Sequence, residues 1–281
     1  MTDTSAQAAP TTSIAVLGGG VMGGAIAVGA LAAGWPAAQV IVADRNADAL
    51  AALASAHGFS TTHDLAEAAA RADVIVFAVK PQDAAAALDT FAGSVRPGAI
   101  LLTVAAGLPA SFYEAHLPAG TPVVRAMPNT PALIGKGATG IAAGTHATPA
   151  HMALAASVLA ATGLVVEVDE DQIAAVGTVS GSGPAYFYAF VEAIIESGIA
   201  EGLDRELATE LAIQTFIGAA ALLESSDAGP GELRARVSSK GGTTLAALGA
   251  MSDAGLQTVV AVGLAAAARR TREMAVELAG N

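Results

Sequence analysis

The sequence predicts an α/β protein: a doubly wound, mostly parallel sheet in the first half, then a second domain built of helices alone. Three observations carry this. From Ile14 to Val168 short apolar runs alternate with helical stretches, and strands separated by helices pair in parallel, buried on both faces. A glycine-rich turn, Gly18-Gly19-Gly20-Val21-Met22-Gly23, joins the first apolar run to the first helical stretch. After Asp169 no strand-like run remains and long helical patterns take over.

The elements follow in order. Ile14–Leu17 reads as a strand, Val21–Ala33 as a helix and Val40–Ala43 as a strand. Ala47–His57 and Leu65–Arg71 read as helices, Val74–Val79 as a strand and Gln82–Ala92 as a helix. Ile100–Val104 is a strand, Ala110–His116 a short helix and Val123–Ala126 a strand. Right-handed crossovers wind these units onto both faces of one sheet. Gly137–Ala143 and Leu164–Val168 add edge strands around a helix at Pro149–Ala161. In the second half, Ala185–Glu201, Arg205–Ser225, Thr244–Met251 and Leu256–Leu278 are helical. A chain of 281 residues suggests two domains. They divide as residues 1–169, with 1–13 as a frayed polar tail, and residues 170–281.

The helix from Pro184 to Ile199 is apolar on nearly every face: Tyr186, Phe187, Tyr188, Phe190, Val191, Ile194, Ile195 and Ile199. A helix apolar all round is enclosed, and a small helical domain cannot easily enclose it alone. A second copy of the chain is the simplest cover, so a homodimer or a multiple of dimers is expected.

Composition narrows the function. Thirteen basic against 25 acidic residues give a net charge of −12, which disfavours nucleic acid and anionic lipid as partners. With 53% hydrophobic and 14% charged residues, disorder over most of the length is excluded. The absence of cysteine excludes disulfides, thiolate metal sites and a cysteine nucleophile. The five histidines are scattered, and His146 and His151 read as a solvated loop entering a helix rather than a metal pair. Ile14–Ala43 lacks charge, but Gly18, Gly19, Gly20, Gly23, Gly24 and Trp35-Pro36 break it as a membrane span, and no basic cluster flanks it. Without a basic, signal-like start, the expected compartment is the cytoplasm.

The turn Gly18–Gly23 fits GxGxxG in its required setting, after a strand and opening a helix. Gly18 permits the tight turn, Gly20 lets a pyrophosphate reach the backbone, and Gly23 lets the helix pack close to the strand. Val21 and Met22 open the helix whose free N–H groups and positive end hold phosphate. The second strand ends in Asp44-Arg45-Asn46. An acid there bonds the ribose of NAD, while an arginine holds the 2′-phosphate of NADP. If Asp44 turns away to cap the following helix, Arg45 and Asn46 can grip the phosphate; the alternative is that Asp44 is only a helix N-cap and Arg45 only a solvated surface charge.

Further segments stand beside this turn: Ala78-Val79-Lys80-Pro81, Arg125-Ala126-Met127-Pro128-Asn129-Thr130-Pro131, Val179-Ser180-Gly181-Ser182-Gly183-Pro184-Ala185-Tyr186, and Ser238-Ser239-Lys240-Gly241-Gly242-Thr243-Thr244. With Gly18–Ile26 they resemble the pyrroline-5-carboxylate reductases, over about Ile14 to Glu273. The resemblance implies a Rossmann domain, a helical dimerisation domain and an active site between them. It implies reduction of the cyclic imine 1-pyrroline-5-carboxylate to proline, the last step of proline synthesis, with NADPH or NADH.

By the same resemblance Ala78, Val79, Lys80 and Pro81 lie along the cofactor, and Ala105, Ala106 and Gly107 approach its nicotinamide. Lys80 reads as backbone wall with its amine in solvent rather than as a base. Glu170 matches an acidic position near the cofactor but reads as a lone surface acid. Lysine at position 240 stands where the family pattern usually has proline. Such chemistry needs no metal, only cofactor, orientation and a hydrogen-bond partner at the imine nitrogen. Ser180, Gly181 and Ser182 read as a loop that approaches the substrate and feeds Pro184 into a helix. Ser238, Ser239, Gly241, Gly242 and Thr243 offer donors to its carboxylate, and Thr244 contacts the ring nitrogen as the catalytic hydroxyl. The alternative for Thr243 and Thr244 is a helix N-cap. A β-hydroxyacid dehydrogenase would carry a lysine on the interdomain helix, and Pro184–Gly202 has none.

Overall fold

The run Ile14-Ala-Val-Leu17 forms β1, with all four residues buried. Such a run is hydrophobic throughout because its alternate side chains enter two different cores. The computed structural model describes residues 11–279. In it β2 (Val40–Ala43) and β4 (Val74–Phe77) flank β1, β3 (Ser60–Thr62) lies beyond β2, and β5 (Ile100–Thr103) and β6 (Val123–Met127) extend the other side. These pairs are parallel. β7 (Gly137–Ala143) joins antiparallel to β6 and parallel to β8 (Gly163–Glu167). The order is β3-β2-β1-β4-β5-β6-β7-β8, so β3 and β8 are the edges, and of the two strands expected as edges β7 lies inside the sheet.

Helices α1 (Val21–Ala32) and α6 (Pro149–Leu159) cover one face, packing on Ile14, Val16, Val42, Val76 and Leu102. Helices α3 (Leu65–Ala70), α4 (Ala84–Phe91) and α5 (Ala110–His116) cover the other, packing on Ala15, Leu17, Ile75, Phe77 and Leu101. Each fully buried Leu, Ile or Phe contributes roughly 1.5–3 kcal/mol. Helix α2 (Ala47–His57) starts at Asn46, whose Oδ1 accepts from Asp48 N and Ala49 N, and ends at Gly58. α6 starts with a Thr148–His151 capping box, so His151 serves the helix start expected for it.

The frayed-tail reading of residues 1–13 meets a correction at its end; residues 1–10 lie outside the described residues. Ser13 donates to Asp73 from both its N–H and its hydroxyl, each at 2.8 Å, and Trp35 Nε1 donates to Thr12 O. Strand β3 escaped sequence reading because Ser60-Thr-Thr62 is polar. The strand expected through Val79 ends at Phe77, since Lys80-Pro81 turns the chain into a 3₁₀ segment.

After β8 come α7 (Ile173–Val176) and a π-helical turn, Gly177–Gly181. The chain forms two compact units: one reaches Ser182 and takes in Ala267 onward, the other is Gly183–Ala266. The sheet unit thus keeps α7 and the π turn, which pack on β6 and β7, beyond the 169/170 division expected where strand-like runs end. The second unit contains α8 (Gly183–Ala200), α9 (Arg205–Glu224), α10 (Pro230–Arg236), α11 (Thr243–Asp253) and the first part of α12 (Leu256–Ala279). α10 was unforeseen; it is a short, charged helix with Pro230 in its first turn. Within this unit α8 packs on α9 through Phe187 and Phe190, both edge-on to Phe216.

Candidate active site

The turn after β1 is built by backbone constraint. Gly18 has φ +103°, and a Cβ there would meet Ala78 O at 2.7 Å, so only glycine fits. Its N–H donates to Ala43 O at 2.8 Å, tying the turn to the end of β2. At Gly23 a Cβ would collide with Gly18 O, so glycine lets α1 start against the turn. Gly20 is the N-cap of α1, without any side-chain cap, and the space where its Cβ would point is empty. The first-turn N–H groups of α1 have no partner inside the helix. Gly20 and Val21, at the tip of this helix start, are exposed, and the helix dipole behind them suits an anionic dinucleotide.

Beside them lies a cleft of about 450 Å³, lined among others by Gly18, Gly20, Asp44, Arg45, Val79 and Lys80. It brings together three of the expected cofactor segments. Asp44 does not cap α2, correcting that alternative. Its Oδ2 accepts from Gly19 N at 2.6 Å and its Oδ1 from Asn46 N at 2.8 Å. Asn46 is the cap: its amide oxygen accepts from the start of α2, which leaves its Nδ2 group to donate to a phosphate. The Arg45 side chain is 90% exposed, with one long contact to Asp83 at 3.5 Å, and Lys80 is exposed.

Ala105, Ala106 and Gly107 follow β5 at the same sheet edge. Val104 N donates to Phe77 O at 3.0 Å and Ala105 N to the Thr103 hydroxyl; Gly107 has φ +88°. Tyr113 is buried edge-on to Phe77 of β4, and burial pushes its phenol up to about 12, with Thr103 and Arg125 opposing. Glu170 is not a lone surface acid. Its Oε1 accepts from Ala110 N at 2.7 Å and pairs with Arg125 Nη1 at 3.0 Å. Nothing in the spacing of positions 110, 125 and 170 announces this trio.

Ser180, Gly181 and Ser182 are not a loop, which corrects the sequence reading. Ser180 and Gly181 end the π turn and Ser182 leads into α8, in which Pro184 is the second residue. Proline is tolerated there because the first helical turn has no intrahelical acceptor for its missing N–H. Asn129 Nδ2 donates to Ser180 O at 3.0 Å, and Asn129 Oδ1 accepts from Ala138 N at 2.9 Å. Gly181 packs against the Met127 methyl group so closely that a Cβ would sit 2.7 Å from it. The Met127-Pro128-Asn129 segment thus clamps the π turn.

In the second unit, Ser238 to Thr244 joins α10 to α11. The Ser238 hydroxyl donates to Arg234 O at 2.6 Å. Gly241 has φ +73°, and Gly242 N donates to Ser239 O. Gly242 itself is the N-cap of α11, so neither Thr243 nor Thr244 is a cap. Both threonines lie in the first turn, and among the described residues neither hydroxyl has a hydrogen-bond partner.

A mostly parallel sheet with an open glycine turn at its carboxyl edge is the arrangement of a dinucleotide-binding protein, and a helical unit follows it in the chain. Residues 13–107 match the family described as "NADP oxidoreductase coenzyme F420-dependent", and residues 170–274 that described as "Pyrroline-5-carboxylate reductase dimerisation". A pyrroline-5-carboxylate reductase of Pseudomonas aeruginosa is 40% identical over 269 residues, covering 95% of this chain and 98% of that one. One from Mycobacterium tuberculosis is 38% identical, covering 94% and 97%. The solved structure of the Coxiella burnetii enzyme superposes with a TM-score of 0.89 at 34% identity, covering 94% of this chain and 99% of that one. That of the Plasmodium falciparum enzyme, with NADP bound, gives 0.83 at 25%, covering 95% and 99%. The chain belongs to the pyrroline-5-carboxylate reductase family. Among the described residues, Arg205–Glu224 is the one single helix long and apolar enough to cross a membrane by length and composition; it lies within the matched dimerisation segment.

Proposed function

We propose that the chain reduces the C=N bond of 1-pyrroline-5-carboxylate to L-proline, with NADPH preferred over NADH. The reading is supported by one combination: an open phosphate turn and, in the same chain, a Ser238–Thr244 segment whose two threonine hydroxyls are unspent. The relatives named above support the substrate.

When bound, the nicotinamide supplies a hydride. The imine carbon accepts it and the ring nitrogen takes a proton, so the C=N double bond becomes a CH–NH single bond. The residues here hold and orient. The N–H groups of Gly20 to Gly23 take the pyrophosphate, and Ala78, Val79, Lys80 and Pro81 wall the cofactor. The nicotinamide end falls to Ala105, Ala106 and Gly107. Arg45, free of all but a long contact, takes the 2′-phosphate; Asp44, held by Gly19, is spent on the turn and competes less for it. Asn46 caps α2 with its amide oxygen and keeps its Nδ2 donors for the same phosphate.

On the substrate side, the first-turn N–H groups of α11 suit a carboxylate. The Ser238 hydroxyl already donates inward, so Ser239, Gly241 and the Thr243 N–H are the better donors. The Thr244 hydroxyl can donate or accept, which suits a nitrogen whose protonation changes. Ser180, Gly181 and Ser182 contribute through the backbone of the π turn. The second copy implied by the dimerisation segment makes the working unit a homodimer or a multiple of it.

Purified protein mixed with NADPH and the imine, followed by absorbance, tests this. NADPH should be oxidised only when the imine is present, and faster than NADH at equal concentration. Turnover of 3-hydroxy acids with NAD⁺, and none of the imine, would sink the reading.

A further inference from the structure

We propose that Arg125 and Glu170 form a positioning pair that holds the turn 104–109 against the nicotinamide half of the dinucleotide. The inference rests on the reductase reading above and adds two residues to its machinery.

The sheet register puts the turn at that place. Leu17 pairs with Phe77, and Phe77 with Thr103, so β1, β4 and β5 end level and their loops leave at one edge. In such sheets the dinucleotide lies across that edge, with its adenosine ribose by the acid at the end of β2. Here that acid is Asp44, on one side of β1. The other half of the molecule therefore falls over the ends of β4 and β5, onto the turn that starts at Val104.

The turn has two anchors. At its start, Val104 N donates to Phe77 O at 3.0 Å and Ala105 N to the Thr103 hydroxyl at 3.3 Å. At its end it must enter α5, and the residue in the N-cap position is Pro109, which provides no side-chain cap. The N–H of Ala110 would be left without an acceptor. Glu170, sixty residues onward, supplies it at 2.7 Å. Glu170 is in turn fixed by Arg125 at 3.0 Å. Arg125 pairs with Thr103 in the sheet register, and its side chain is only 12% exposed. A rigid strand thus reaches, through two charged side chains, the far anchor of a turn that carries Ala105, Ala106 and Gly107. The chain needs this arrangement because a proline cap leaves the turn's exit untied, and a charge-assisted bond is the stronger substitute.

Glu170→Ala removes the anchor and leaves the phosphate turn intact. It should lower kcat for the imine about tenfold to a hundredfold, since misplacement by about an ångström costs that much, while the KM for NADPH changes less than about threefold because the pyrophosphate contacts remain. The deuterium isotope effect on kcat with C4-deuterated NADPH should rise as hydride transfer becomes limiting. Glu170→Gln keeps an acceptor for Ala110 N but loses the charge that Arg125 holds, so it should recover part of kcat and lie between alanine and wild type. Glu170→Asp keeps the charge and the fold but falls one methylene short, and should lose kcat in the same sense as alanine. A purely structural tie would instead lower the melting temperature of the Ala and Asp variants with kcat and isotope effect unchanged, and that result overturns the proposal. Failure of the wild-type protein to oxidise NADPH with the imine would strike the reductase reading itself, before any variant is compared.

Discussion

Thr244 stands in the first turn of α11 with Gly242 as the cap, so its hydroxyl can be removed without removing the cap. Thr244→Ala should lower kcat/KM for the imine about tenfold to a hundredfold, the loss of a hydrogen bond of roughly 1.5–3 kcal/mol to a charging nitrogen. Its melting temperature should hardly move, and Thr244→Ser should retain most activity. A variant that is destabilised but kinetically normal would remove Thr244 from the chemistry. Asp73 gives a pH prediction. Partial burial alone would raise its carboxyl, but the hydrogen bonds from Ser13 and the charge of Arg96 together hold it below the usual aspartate range. A carboxyl lowered in the folded state stabilises the fold above its unfolded pKa and loses that contribution as pH falls through the folded one. The melting-temperature gap between wild type and Asp73→Asn should therefore be full at neutral pH and close in the acidic range; a gap independent of pH would show that the carboxylate charge contributes nothing.

Among the elements, the start of α1 is the most tightly specified. A Cβ at position 23 would drive into Gly18 O and lie 3.1 Å from the Ala78 Cβ. Gly23→Ala must push α1 away from the turn. It should cost about 1–3 kcal/mol in denaturant unfolding, the usual range for overpacking, and weaken NADPH binding together with it. Wild-type affinity in that variant would mean that the turn does not hold the cofactor. The π turn is the second specified element. Met127 fills the space beside Gly181, and Asn129 ties Ser180 to β7. Two separate sequence motifs are thereby locked into one piece, an arrangement often found at functional sites.

At the scale of the molecule, one copy leaves much of the helical unit's apolar surface open among the described residues. Along α8, Phe187 is 45% exposed, Tyr188 57% and Phe190 41%, while only Val191 is buried. On α9, Leu211, Ile213 and Ile217 are about equally open. Apolar area on this scale is not left in water, and the match to a dimerisation family accounts for it. Sedimentation at sub-micromolar concentration should give a dimer or a multiple of it, and a stable active monomer would contradict that.

Most of the sheet was legible in the sequence alone, because two-faced burial forces apolar strands that need no partner to be recognised, and the phosphate turn was legible because its glycines fall in the GxGxxG spacing between a strand and a helix. The sequence also marked the uncovered helix, since an all-round apolar face is a statement about composition. Strand β3 stayed hidden because its polar residues are held by pairing with β2 rather than by burial. The role of Asp44, the cap at Asn46 rather than Asp44, and the cap at Gly242 rather than a threonine all turn on where a carboxylate or a backbone dihedral points, which residue type does not fix. Only the tertiary structure joined Arg125, Glu170 and Ala110 N, since hydrogen bonds between residues 45 and 60 positions apart depend on which strands lie side by side and leave no periodic trace along the chain.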